Sequence, residues 1–192
     1  MTIGKKIIKI SLRVLIIVIA FYILYYVLML SSCSETEDFD NEADFEAKIS
    51  EVDGASYHIP DTEKLGEYES ITLKNKKTKY VLWSINTLSL TVKYNKENFE
   101  KEISSINSNY SFINEEKEGL YDYSASLNGY EIRIVEKDEK FKDDYCYYYP
   151  KYFLMIGINE EKQSIVYLYH YDIDLDKIDD LDDFIKKYYK LD

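Results

Sequence analysis

Residues 88–94 read LSLTVKY, and this stretch decides the fold. Leu88, Leu90, Val92 and Tyr94 alternate with Ser89, Thr91 and Lys93. Successive strand side chains point to opposite faces, so a period of two makes a strand with one face in a core and the other toward polar surroundings. Toward the N-terminus, residues 67–73 alternate in the same way. The polar Asn75-Lys76-Lys77-Thr78 predicts a turn, followed by a strand over 79–85 with Val81, Trp83 and Ile85 on one face. Toward the C-terminus, Asn95 suits a helix N-cap, and Phe99, Ile103 and Ile106 form one helical stripe that ends at Asn107-Ser108-Asn109.

The second half extends the pattern as hairpins. Tyr121, Tyr123, Ala125 and Leu127 share a face, and Tyr130, Ile132 and Ile134 return after Asn128-Gly129. That dipeptide is a strong hairpin signal, because both turn positions need positive φ. After the charged residues 137–144, residues 151–158 are apolar on both faces, as in a central strand, and residues 165–171 pair back. A helix is expected from about residue 174, with Leu175, Ile178, Leu181, Phe184, Ile185 and Tyr188 as its buried stripe. Acids lie at its start, and Lys186, Lys187 and Lys190 at its end, which suits the helix dipole. The expected class is α+β: a mostly antiparallel sheet of about six to seven strands, two helices packed on one face in two layers, and an N-terminal hydrophobic helix ahead of them.

That leading segment differs from the rest. Residues 1–33 hold four of the chain's 24 bases (Lys5, Lys6, Lys9 and Arg13) and none of its 36 acids, so the remainder carries a net −16. An uncharged apolar run covers residues 14–30, 17 residues or roughly 25 Å as a helix, near the lower limit for a bilayer. Lys and Arg stay on the cytoplasmic side, so everything after Leu30 is expected outside. Leu30-Ser31-Ser32-Cys33 resembles the lipobox of bacterial prolipoproteins, with an aliphatic residue, two small residues and a cysteine. The resemblance covers residues 1–33 only. It implies acylation of Cys33 and removal of residues 1–32, which leaves a two-chain anchor of the kind needed for stable attachment. The alternative is a retained single-pass anchor with the same topology.

Residues 33–56 are strongly acidic and read as a solvated tether, within which Phe45, Ile49 and Val52 allow a short helix. The globular domain is then expected over 57–192, on the extracytoplasmic side of a bacterial cell membrane. Its negative charge disfavours nucleic acid. Membrane lipid at the N-terminus and a protein, peptide or envelope ligand are the expected partners. No cofactor is implied: the chain has no glycine-rich phosphate loop, no H-E-x-x-H and no nucleotide fingerprint.

Three motifs invite chemistry. Asp172, Asp174, Asp176 and Asp183 fall at the first, third, fifth and twelfth positions of an EF-hand-like loop. Lys177 stands where that loop needs glycine, and the helical period runs through it, so an acidic helix start capped by Asp172 or Asp174 is the plainer reading. His170 alternates with Val166 and Leu168 on a strand, where Asp172 and Asp174 are near enough in sequence to orient it as the general base of a small hydrolase. No G-x-S-x-G or similar motif supplies it with a nucleophile. Tyr145, Tyr147, Tyr148 and Tyr149 surround Cys146 and offer flat amphipathic faces to a sugar or peptide. The chain's 21 tyrosines also follow from AT-rich codons alone. A non-enzymatic binding module is the favoured reading, with the hydrolase as its alternative.

Overall fold

A computed structural model describes residues 3–30, 33–39, 42–52, 54–80, 83–116, 120–136, 152–172, 175 and 177–191. The elements are α1 (Ile3–Leu30), β1 (Cys33–Phe39), α2 (Glu42–Glu51), β2 (Ser70–Lys79), β3 (Ser84–Lys93), α3 (Lys96–Asn109), β4 (Ser124–Leu127), β5 (Tyr130–Ile134), β6 (Tyr152–Asn159), β7 (Ser164–Asp172) and α4 (Leu181–Tyr188). Two single 3₁₀ turns, Ala55–Tyr57 and Thr62–Lys64, join α2 to β2. Among the described residues, seven strands form one antiparallel sheet in the order β1-β2-β3-β7-β6-β5-β4.

The 88–94 alternation lies in β3 and its immediate continuation, at the sheet's centre. Leu88, Leu90 and Val92 are opposite Tyr169, Tyr167 and Ile165 of β7. All six join Phe45 and Ile49 of α2 and Phe99 and Ile106 of α3 in one core. The opposite parity of β6 and β7 gives Phe153, Met155, Val166 and Leu168, which pack with Leu181, Phe184 and Ile185 of α4 in a second core. The helices therefore cover both faces of the central strands and not one, and the expected two layers become three there. The cause lies in β6 and β7: strands apolar on both sides need cover on both. Each fully buried aliphatic or aromatic side chain contributes about 1.5–3 kcal/mol. Where β3 turns toward the second core it stays polar, with Thr87 and Ser89 buried and the Thr87 hydroxyl donating to the Lys76 carbonyl at 3.2 Å.

Local chemistry accounts for the turns and caps. Asn128 and Gly129 adopt φ of 54° and 83° and connect the paired Leu127 and Tyr130, as expected. The Asn95 side chain accepts from the Asn98 amide at 3.0 Å and starts α3.

Several expectations are corrected. The polar segment 75–78 is not a turn: β2 runs unbroken to Lys79 and β3 starts antiparallel to it at Ser84, and between them the Tyr80 amide donates to the Trp83 carbonyl at 2.8 Å. Residues 33–56 are not a free tether either. β1 completes the sheet against β2, and α2 buries Phe45 and Ile49, with Val52 buried just beyond its end. One cause explains both. The acidic strand and the lysine-rich strand each read as solvated when taken alone, but the register lays Cys33–Phe39 alongside residues 73–79, and there Lys79 pairs with Glu35 at 2.9 Å. Among the described residues the helices number four, with three packed on the sheet where two were expected. The last helix begins at Leu181 and not near 174. Its cap is Asp180, which accepts from the Asp183 amide at 2.8 Å. Ahead of it the chain is extended enough for Ile178 to bridge Leu120 and become buried.

Candidate functional site

His170 sits on β7, on the face covered by α4. It is wholly buried, and neither ring nitrogen has a hydrogen-bond partner among the described residues. Its ring lies against Phe184 and Tyr188, with centroids 4.8 and 4.7 Å away, and against Phe153 at 5.4 Å. Burial, helped by the positive charge of Lys187, lowers its pKa from 6.5 to about 3. This imidazole is neutral at any ordinary pH and is packed between aromatic rings. Asp172 does not orient it, and a general base must come within hydrogen-bond reach of the proton it takes.

The calcium-loop candidates are not assembled by the described residues. Asp172 is buried at the end of β7, Asp183 lies in the first turn of α4, and Asp174 and Asp176 fall outside the described residues. Among the described residues no group of three His, Cys, Asp or Glu side chains is placed to hold a metal ion. Tyr145, Tyr147, Tyr148 and Tyr149 also lie outside the described residues.

Other tyrosines are core. Tyr94, Tyr167 and Tyr169 are fully buried. The Tyr167 hydroxyl donates to Glu102 Oε1 at 3.0 Å, and the Tyr189 hydroxyl donates to the Tyr169 carbonyl at 2.8 Å. Desolvation, reinforced by the Glu102 carboxylate, raises both the Tyr94 and the Tyr167 hydroxyl well above the ordinary phenol range. These groups hold their protons and supply structure.

A polar cavity of about 200 Å³ opens between α2 and the β1–β3 end of the sheet. Glu35, Lys48, Glu51, Val52, Asn75, Lys77, Lys79 and Asn86 line it. Its charges are largely paired within the protein: Lys79 meets Glu35 at 2.9 Å, and Lys48 meets Glu51 at 3.0 Å. Hydrogen bonding and attraction from Lys79 hold the Glu35 carboxyl below its ordinary pKa. The Asn75 carbonyl oxygen is buried without a partner among the described residues. Such a lining suits a small polar ligand, and nothing in it supplies a nucleophile next to a base.

At the same end of the sheet, Cys33 opens β1 opposite Lys79, and Lys79 is opposite Ser84. Between Lys79 and Ser84 the rings of Tyr80 and Trp83 stack, with centroids 5.0 Å apart and planes 17° from parallel. The Lys187 ammonium lies 4.6 Å from the Tyr188 ring centre, and its pKa is raised chiefly by the Tyr188 hydroxyl, with smaller contributions from Tyr80 and Asp172. Sequence reading placed Trp83 in a strand and so missed this aromatic pair at a hairpin tip. The available signal was charge: residues 74–79 carry four lysines, which match the acids of residues 35–38.

The described side chains of α1, from Leu12 to Leu28, include large apolar residues that are 48–68% exposed on every side of the helix. Among the described residues the only other large apolar side chain this exposed is Tyr121. Counted over the described residues, no helix is long and apolar enough to cross a membrane. The uncharged run of the sequence itself continues to Leu30.

No family model matches this chain, and neither the curated proteins nor the solved structures include a significant match.

Proposed function

We propose that this protein is an envelope component anchored by its N-terminus to a bacterial cell membrane, with its α+β domain on the extracytoplasmic side. We propose further that the domain binds a protein, peptide or envelope ligand without chemical turnover. The anchor is acyl chains on Cys33 after removal of residues 1–32. The observation that carries the reading is the contrast in apolar exposure. The strands and packed helices turn their large apolar side chains inward, whereas α1 presents them all round its circumference. A helix apolar on every side suits lipid or a signal sequence and not a water-facing surface. The four bases ahead of the run set the orientation. The binding reading is supported by a buried, neutral His170 and by a paired, polar cavity. The net −16 of residues 34–192 favours neutral or cationic ligands.

Acyl labelling and intact-mass measurement test the anchor. The native chain should begin at an acylated Cys33, and Cys33→Ser should lose the label and retain residues 1–32. An unmodified native N-terminus removes the lipoprotein reading and leaves the second one, α1 as a retained single-pass anchor. That alternative has its own support, since the uncharged run exceeds the usual 7–15 residues of a signal-peptide core. Protease added to intact cells should cut the domain under either reading.

A further inference from the structure

We infer that the polar cavity between α2 and the sheet binds a small zwitterionic amino acid, its carboxylate on Lys77 and its ammonium on Glu51 and the Asn75 side-chain oxygen. The inference rests on the proposed reading of the domain as a binder without turnover, and it gives that binder a ligand class. The sheet builds the floor. Glu35, Lys77 and Asn86 are opposite one another on β1, β2 and β3, so their side chains form a row on one face. Asn75 and Lys79 lie on that same face of β2, two residues to either side of Lys77. Lys48, Glu51 and Val52, spaced i, i+3 and i+4 at the end of α2, share one side of the helix and close the cavity above the row.

The bonds already made there leave specific groups over. Glu35 does not bond the lysine opposite it. Both its carboxylate oxygens accept from the diagonal neighbour Lys79, at 3.0 and 2.9 Å. Lys77 is thereby the lining lysine with no carboxylate at ion-pair distance among the described residues. Above it, Glu51 engages Lys48 through Oε2 alone, and its Oε1 accepts no hydrogen bond among the described residues. The Asn75 oxygen is buried and lacks a donor there, which is costly for a buried acceptor. Asn86 is buried as well, and its amide reaches Ser84 Oγ only at 3.5 Å. One cation and two acceptors are thus unspent around one space. A molecule with a carboxylate at one end and an ammonium at the other completes all three.

Size and charge narrow the class. The cavity's volume of about 200 Å³ is room for roughly seven water molecules at about 30 Å³ each, and it falls short of the roughly 300–1,000 Å³ of sites for larger ligands. That space holds a single amino acid and not a peptide. Val52 is the one apolar side chain of the lining, so a small or polar amino acid fits better than a large apolar one. A zwitterion also has no net charge for the −16 of residues 34–192 to repel, whereas a plain carboxylate does.

Full-length protein in detergent micelles is titrated calorimetrically with glycine, L-serine, L-asparagine and L-glutamine in turn, and each amino acid is checked by proton NMR after incubation. At least one should bind saturably and be recovered unchanged. For the tightest of them, the analogues lacking the ammonium or the carboxylate should bind at least tenfold more weakly. Lys77→Met should also weaken binding at least tenfold with Tm little changed, since it breaks no ion pair. Lys96→Met, at the exposed start of α3, removes the same charge elsewhere and should leave binding as it was. No saturable heat from any of the four overturns the site and leaves the anchor and a macromolecular ligand standing. Equal binding of the analogue without its ammonium overturns the amino acid in favour of any small anion, and undiminished binding by Lys77→Met overturns the placement. An amino acid that binds and is consumed upholds the site and refutes the reading without turnover.

Discussion

Acidification should destabilise this domain through His170, and by an amount the structure allows to be worked out. The ring has no exposed surface and no polar partner among the described residues, so an added proton must be carried in a box of Phe153, Phe184 and Tyr188 close to the Lys187 charge. In the unfolded chain the imidazole titrates near 6.5, and in the folded chain near 3. Below 6.5 the unfolded state binds the proton first. The stabilising contribution is therefore complete above 6.5 and is lost progressively as pH falls toward 3. Linkage gives a loss of about 1.4 kcal/mol at pH 5.5 and about 2.7 kcal/mol at pH 4.5, against a domain stability of roughly 5–15 kcal/mol. The assay is urea unfolding of native protein and His170→Phe from pH 7.5 to 4.5. The substitution itself shifts the baseline, since it removes two unbonded nitrogens and adds volume, so the difference in pH slope is the readout. Carboxylates such as Glu35 and Glu97, held low by Lys79 and Lys101, also weaken the fold as they protonate, but they do so in both proteins and cancel. Parallel stability curves for the two proteins would refute the packing assigned to His170.

Two glycines give further tests. Gly129→Val should cost about 1 kcal/mol or more, because φ there is 83° and the new Cβ would meet Asn159 Nδ2 at 2.8 Å; thermal melting measures the loss. Gly157→Ala should cost about 1–3 kcal/mol by overpacking β6, since its Cβ would come within 2.7 Å of Val166 Cγ1 and 2.9 Å of Ile132 Cγ1, and an unchanged urea midpoint would show slack the packing does not suggest.

Much of the sheet was legible because its signals are local. Alternation in β3, the Asn128-Gly129 turn and the Asn95 cap are each set by a handful of neighbouring residues. The misreadings share a different origin. Residues 33–39 and 74–79 are solvated-looking sequences whose partner is some 40 residues away, and only their pairing makes either one a strand. Ile178 looked helical by spacing, but its burial beside Leu120 is a tertiary fact that the spacing does not contain. Trp83 read as a strand residue because its alternation with Val81 and Ile85 is local, whereas the reversal between Lys79 and Ser84 is set by the pairing of β2 with β3. Of the candidate site residues, His170 was correctly set on a sheet face, but its aromatic box comes from β6 and α4, which no pattern around His170 reveals.

The ladder between Cys33 and Lys79 has a consequence for maturation. A peptidase that trims the chain just ahead of Cys33 must take residues 30–33 as a free extended strand, whereas the finished domain locks the last of them into its edge. Under the lipoprotein reading, trimming is timed by translocation. On that reading the site is free until residue 79 has emerged, and trimming after that point competes with the pairing of Cys33 and Lys79.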